Sequence, residues 1–180
     1  MGLTLVTATL PQRASLLAEM QASVSQQTKR PDAHIIRWDH GAGFVDTINA
    51  AVSGVTTDYF CLVDDDDLLY PNHVATLTEH LVADIVWTWC NVSGRSGWNP
   101  NSGYQPGLLQ SQNYIPSNMA MRTNLWHDLG GYHHVTGWDH PDWNLLRRAE
   151  QEGAHFYNVP TITWEYRFHG ANMSLGGIHA

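Results

Sequence analysis

One stretch constrains the fold more than any other. Tyr59-Phe60-Cys61-Leu62-Val63 runs directly into Asp64-Asp65-Asp66-Asp67 and then Leu68-Leu69-Tyr70-Pro71. Five consecutive apolar residues predict a strand buried on both faces, as in the sheet of an α/β protein. Side chains alternate along an extended chain, so Asp64 and Asp66 are expected to point one way and Asp65 the other. Like charges crowded at one strand end repel unless something neutralises them. The simplest neutraliser is a hard divalent cation, Mg²⁺ or Mn²⁺, which prefers oxygen ligands and often also holds substrate phosphates. The competing reading is a solvated acidic turn. Because the run abuts a buried strand rather than a polar linker, the metal reading is favoured.

The flanking segments supply a frame for that strand. Leu3 to Thr9 is short, apolar and β-branched, and predicts a first strand that Leu10-Pro11-Gln12-Arg13 breaks. Leu16, Leu17, Met20 and Val24 recur at helical spacing between Ser15 and Gln27, and Lys29-Arg30-Pro31 ends that helix. Ala33 to Trp38 predicts a second strand, closing at Asp39. Strand, helix, strand in so short a span is a βαβ unit with parallel strands. Ligands of open α/β sheets bind at the carboxyl ends of such strands. Three strand ends then offer a hydroxyl (Thr7 or Thr9), the guanidinium of Arg13, the carboxylate of Asp39 and the acidic run. Arg13 suits a diphosphate by its bidentate geometry, and Asp39 suits a base N–H or a ribose hydroxyl. The alternatives are an exposed arginine at a helix start and a turn-forming aspartate.

Further helices are predicted over Val45–Ser53, after Pro71, over Thr123–Leu129 and from Asp142 to about Glu152, with a strand at Asp84–Cys90. Asn91 to Tyr114 is rich in Gly, Pro, Asn, Ser and Gln and predicts a long loop, of the kind that forms lids and binding loops. Trp98 and Tyr104 within it could form a platform for a sugar ring or could simply pin the loop to the body. Asp142 stands at a helix start, where the dipole favours a carboxylate; the functional reading is a general base. Thr161 to Ser174 reads as a strand followed by a polar turn, in which His169 is a candidate metal ligand or phosphate donor.

Composition narrows the partners. The formal charge is −8 and Lys29 is the only lysine, which argues against nucleic-acid backbone as a partner. Cys61 and Cys90 sit in or beside apolar runs, and nothing suggests a disulfide framework. No apolar run approaches a membrane helix, and no basic region followed by an apolar segment marks a signal peptide. These features lead to the expectation of one cytoplasmic domain over residues 1–180.

In order along the chain, these segments resemble the inverting GT-A glycosyltransferases of family 2. Thr9-Leu10-Pro11-Gln12-Arg13 and Gln26-Gln27-Thr28 match its N-terminal strand, helix start and helix end, with Gln12 where Asn is usual. Asp39 matches its nucleotide-binding aspartate, Asn49 an asparagine in the following helix, and Asp64, Asp66 and Asp67 its Asp-x-Asp-Asp motif. Gly130-Gly131-Tyr132, then Pro141-Asp142-Trp143 with Arg147 or Arg148, then Tyr166, Arg167 and His169 match its later motifs, with Pro141 replacing a Glu. The resemblance implies an α/β GT-A fold, a Rossmann-like sandwich with a mostly parallel central sheet. Residues 1–90 would bind nucleotide and residues 91–180 would hold the acceptor and catalytic elements.

The resemblance also implies transfer of a sugar from a nucleoside diphosphate sugar, UDP-linked as the family-based expectation, to an acceptor hydroxyl, with Mn²⁺ or Mg²⁺ as cofactor. Asp142 is the expected base. Thr7, Thr9, Arg13, Asp39, Asn49, Asp64, Asp65 and Asn118 are expected to bind nucleotide or donor. Asp64, Asp66 and His169 are expected to hold the metal, while Asn118 and Trp143 could line the sugar or acceptor side. Two rivals are a nucleotide-sugar or metal-binding module without turnover and a haloacid-dehalogenase-type phosphohydrolase. The latter needs a downstream lysine, whereas Lys29 precedes the acidic run.

Overall fold

The computed structural model describes residues 1–95, 101–136 and 140–169. Trp98, Trp138 and Asp139 therefore lie outside the described residues. A seven-stranded sheet runs through the described chain in the order β2-β1-β3-β6-β5-β7-β4. Its strands are β1 (Leu3–Thr9), β2 (Ala33–Trp38), β3 (Tyr59–Leu62), β4 (Leu68–Leu69), β5 (Ile85–Ser93), β6 (Met119–Arg122) and β7 (Phe156–Arg167). The helices are α1 (Ala14–Ser25), α2 (Phe44–Val52), α3 (His73–Glu79), α4 (Thr123–Asp128) and α5 (Pro141–Gln151). β1 pairs parallel with both β2 and β3, and β5 pairs parallel with β7. β6 pairs antiparallel with β3 and β5, and β4 antiparallel with β7. Five of the seven strands therefore share one direction.

The alternation of β3 builds a core on each face of the sheet. Phe60 and Leu62 join one cluster with Ile48, Trp126, Leu145 and Leu146 of the helices α2, α4 and α5. Tyr59, Cys61 and Val63 join the other with Leu17, Met20, Val74 and Leu77 of α1 and α3. Both faces are covered, which is why this strand reads as an unbroken apolar run.

Two polar clamps fix the sheet edge where the site lies. Gln27, just past α1, donates from Nε2 to the Tyr70 carbonyl and accepts the Val74 N–H at Oε1, while Thr28 N–H bonds the Pro71 carbonyl. The end of α1 is thereby tied to the segment after the acidic run. Farther along, β7 shifts register against β5 between Thr88 and Cys90. Pro160 falls in that irregularity, where a residue lacking N–H is tolerated. Beyond it the pairing runs on to Ser93 and Arg167, so β7 ends beside the acidic turn.

Candidate active site

The carboxyl ends of β1, β2 and β3 meet as the βαβ reading requires. Asp39 N–H bonds the Thr9 carbonyl, and Val63 N–H bonds the Val6 carbonyl. The four aspartates that follow β3 then divide by role. Asp65 is buried; its Oδ2 accepts from Thr9 Oγ1 at 2.6 Å, and Arg13 Nε approaches its two oxygens at 2.8 and 3.0 Å. Arg13 Nη2 lies 2.6 Å from both Asp65 Oδ1 and Asp66 Oδ2. The guanidinium expected to meet a diphosphate is thus held by carboxylates, and Asp65 above all raises its pKa further. His169 Nε2 lies 3.0 Å from the same Asp66 Oδ2, at hydrogen-bonding distance.

Asp64, Asp66 and Asp67 each offer an oxygen, and these lie within 4.8 Å of one another. Burial pushes the Asp64 carboxyl up to about 7, with the Asp66 charge adding to it, while a hydrogen bond from Ser117 Oγ at 3.0 Å opposes the shift. Asp67 is 1% exposed. Its Oδ1 accepts the Arg167 N–H, its Oδ2 has no partner among the described residues, and burial raises its pKa well above the ordinary range. Arg167 also bonds the Asp66 carbonyl and the Glu19 carboxylate, clamping the turn to α1. Hard oxygen donors, a buried carboxylate oxygen with no partner and unrelieved charge fit a divalent cation. Such an ion at Asp66 would compete with Arg13 and His169.

A pocket of about 950 Å³ opens over this turn. That lies near the upper end of the ~300–1,000 Å³ range of ligand sites. Thr9, Arg13, Asp39, Asp64, Asp65 and Asp66 line it together with Asp142 and the loop residues Gln105, Gln112 and Asn113. Asp39 Oδ1 accepts the N–H groups of Gly41 (2.8 Å) and Gly43 (3.1 Å), which hold its pKa below the usual carboxylate value. Both glycines have positive φ, as this tight turn requires. Asp142, in the first turn of α5, accepts the Trp143 N–H at 2.8 Å, and burial raises its pKa against that bond.

The model of the family described as "Glycosyl transferase family 2" matches residues 15–140. The chain belongs to that family. The fold agrees with residues 1–349 of S. aureus TarS in complex with UDP-GlcNAc, at TM-score 0.77 and 13% identity over 97% of this chain and 60% of that one. It also agrees with the mannosyltransferase PcManGT from Pyrobaculum calidifontis in complex with GDP-Man and Mn²⁺, at TM-score 0.68 and 13% identity over 94% of this chain and 58% of that one. The chain therefore has the GT-A fold and spans about three-fifths of the length of these structures. No curated protein matches it.

Several residues singled out from the sequence of this family 2 chain make buried contacts with the scaffold. Thr7 Oγ1 is buried, donating to the Val63 carbonyl and bonding His34 Nε2. Asn49 bonds the backbone of Tyr132 at both ends, Nδ2 to the carbonyl and Oδ1 from the N–H, each at 2.9 Å. Asn118 is 1% exposed; its Oδ1 accepts from Cys61 Sγ, while its Nδ2 has no partner among the described residues. None of the three lines the pocket.

Tyr104 and Trp143 also contact the scaffold. Tyr104 pins the loop to the body and does not line the pocket: its ring stacks on Phe156 with centroids 4.6 Å apart, and its hydroxyl donates to Glu150. Trp143 donates from Nε1 to the Leu109 carbonyl at 2.7 Å and does not line the pocket. With Glu150 also taking the Gly107 N–H and Gln110 Nε2, α5 holds the loop at both of its ends. Sequence reasoning did not single out Ser117, Arg95 or the loop amides, which carry no motif. Among the described residues, no helix is long and apolar enough to cross a membrane.

Proposed function

We propose that this chain is the catalytic domain of a metal-dependent, inverting glycosyltransferase. It moves a sugar from a nucleoside diphosphate sugar, UDP-linked in the first instance, to an acceptor hydroxyl. The observation that carries this reading is one pocket shared by the acidic turn after β3 and by Asp142 at the start of α5. The neighbours that hold UDP-GlcNAc and GDP-Man have the same fold, which supports a nucleotide-sugar donor. Asp64, Asp66 and Asp67 would hold Mn²⁺ or Mg²⁺, whose charge stabilises a leaving diphosphate. Asp39, fixed by its glycine turn, addresses the base or ribose.

The chain's own residues then govern the proton. The acceptor oxygen attacks the anomeric carbon, the bond from that carbon to the diphosphate oxygen breaks, and the nucleoside diphosphate leaves with the electron pair. Asp142 takes the acceptor proton. Burial makes it a stronger base than a solvated carboxylate, which brings its pKa closer to the working pH.

Release of nucleoside diphosphate from UDP-GlcNAc, UDP-glucose and GDP-mannose with Mn²⁺ tests the activity. Asp142→Asn tests the base, because asparagine keeps an acceptor for the Trp143 N–H. The variant is expected to melt normally and bind donor normally, yet turn over about 10²–10⁴-fold more slowly. Retention of most of the rate would remove Asp142 from the mechanism.

A further inference from the structure

Tyr132 lines the pocket, is 2% exposed, and buries a hydroxyl with no hydrogen-bond partner among the described residues. Buried phenols normally find one. Everything else about this residue is held firmly. Asn49 pins its N–H and carbonyl. Arg148 of α5 donates to the Leu129 carbonyl and, at 2.7 Å, to the Gly131 carbonyl just before it. Its ring packs on Trp126 (centroids 4.9 Å apart) and Phe44 (6.0 Å). Three elements, α2, α4 and α5, thus fix one phenol whose polar tip bonds nothing among the described residues.

The surroundings say what the tip is for. Burial first, then the charges of Asp142 and Asp64, raise the phenol pKa well above its usual value, so it keeps its proton and acts as a donor. It stands within the field of both the base and the acidic turn. In the transfer proposed above, the moving sugar must lie between those two groups. We infer that the Tyr132 hydroxyl donates a hydrogen bond to the transferred sugar, making Tyr132 a specificity-determining residue for the sugar rather than for the nucleotide. This rests on the glycosyltransferase reading. The contact accepts a sugar hydroxyl or N-acyl carbonyl and disfavours a donor lacking oxygen there, because the phenol is then left buried and unpaired.

Tyr132→Phe removes only the oxygen. We compare affinities for UDP, UDP-GlcNAc, UDP-glucose, GDP and GDP-mannose in the presence of Mn²⁺, together with the melting temperature. The expected result is unchanged affinity for UDP and GDP and an affinity for the preferred sugar nucleotide weaker by roughly three- to tenfold. The melting temperature should be equal or higher, since a buried unpaired hydroxyl is gone. In a deoxy series of that donor, the wild type should lose a similar factor for one analogue to which the variant is indifferent. A lower melting temperature with an unchanged ratio of donor to diphosphate affinity would overturn the inference in favour of a structural hydroxyl. An unchanged ratio with unchanged melting overturns it as well. If the wild type binds none of the five probes, the glycosyltransferase reading fails and this inference with it.

Discussion

Arg13 offers a perturbation whose size the structure determines. Its guanidinium lies 2.6 Å from a carboxylate oxygen of each of Asp65 and Asp66. The side chains are 14%, 5% and 9% exposed, so this is a buried cluster rather than a surface pair. Removing one partner of such a cluster typically costs about 3–5 kcal/mol, because the remaining charge is left buried and unpaired. Arg13→Gln should lie near the lower figure, since Thr9 still bonds Asp65 and His169 still reaches Asp66. A loss of about 3 kcal/mol in a domain of this size lowers Tm by roughly 6–12 °C.

A divalent ion should offset that loss, because at Asp66 Oδ2 the guanidinium no longer competes with it and only His169 does. At a hundred times its Kd an ion that binds only the folded state adds about 2.7 kcal/mol. In the wild type the ion must first displace the guanidinium, so its gain is smaller. Thermal melts of both proteins at pH 7.5, with and without saturating Mn²⁺, measure all four terms. The reasoning is refuted if the variant melts within about 1 °C of wild type, or if Mn²⁺ raises Tm by the same amount in both.

Other predictions concern Asp39 and pH. Asp39→Asn keeps an acceptor for the Gly41 and Gly43 N–H groups and should lose affinity for UDP and donor alike with the turn intact, whereas Asp39→Ala should also lower Tm; calorimetric titration and melts separate the two effects. His73 is fully buried, shares a hydrogen bond of 2.7 Å between Nδ1 and Thr163 Oγ1, and has its pKa pushed down to about 3 by burial. Its folded pKa lies below its unfolded one, so the associated stability is present above about pH 6.5 and is lost as pH falls toward 3. That loss reaches at most about 3 kcal/mol by pH 4. Asp64 works the other way in metal-free protein: its raised pKa favours the fold below the unfolded value, and that contribution is lost as pH rises through about 7. Urea unfolding at pH 7, 5 and 4 should show a shallower acid limb in His73→Leu than in wild type, and equal limbs would exclude His73 as its source.

Much of the local structure follows from the sequence alone. The apolar run Tyr59–Val63, the helical spacing of Leu17, Met20 and Val24, and the turn residues around Pro11 and Gly41 each encode an element through contacts a few residues long. The βαβ unit then places Thr9, Arg13, Asp39 and the acidic run at one sheet edge, because connection rules leave a single arrangement. Strand order was another matter. Nothing local marks Met119–Arg122 as the antiparallel strand between β3 and β5, or Leu68–Leu69 as an edge strand on β7. Those pairings join residues far apart in sequence, and their stability comes from cross-strand contacts that exist only after folding.

The same limit separates site residues from scaffold residues. Sequence and resemblance offered Thr7 and Asn49 as ligand contacts, and in the fold each spends its polar side-chain atoms on the scaffold. Tyr132 presents the reverse case, a residue lining the pocket whose buried hydroxyl is left unpaired among the described residues. The sequence determines which polar groups the chain carries and which strand ends they follow. Tertiary structure decides which of them are satisfied internally and which remain for a ligand, because a buried polar group must find a partner and only the folded geometry says whether the protein supplies it.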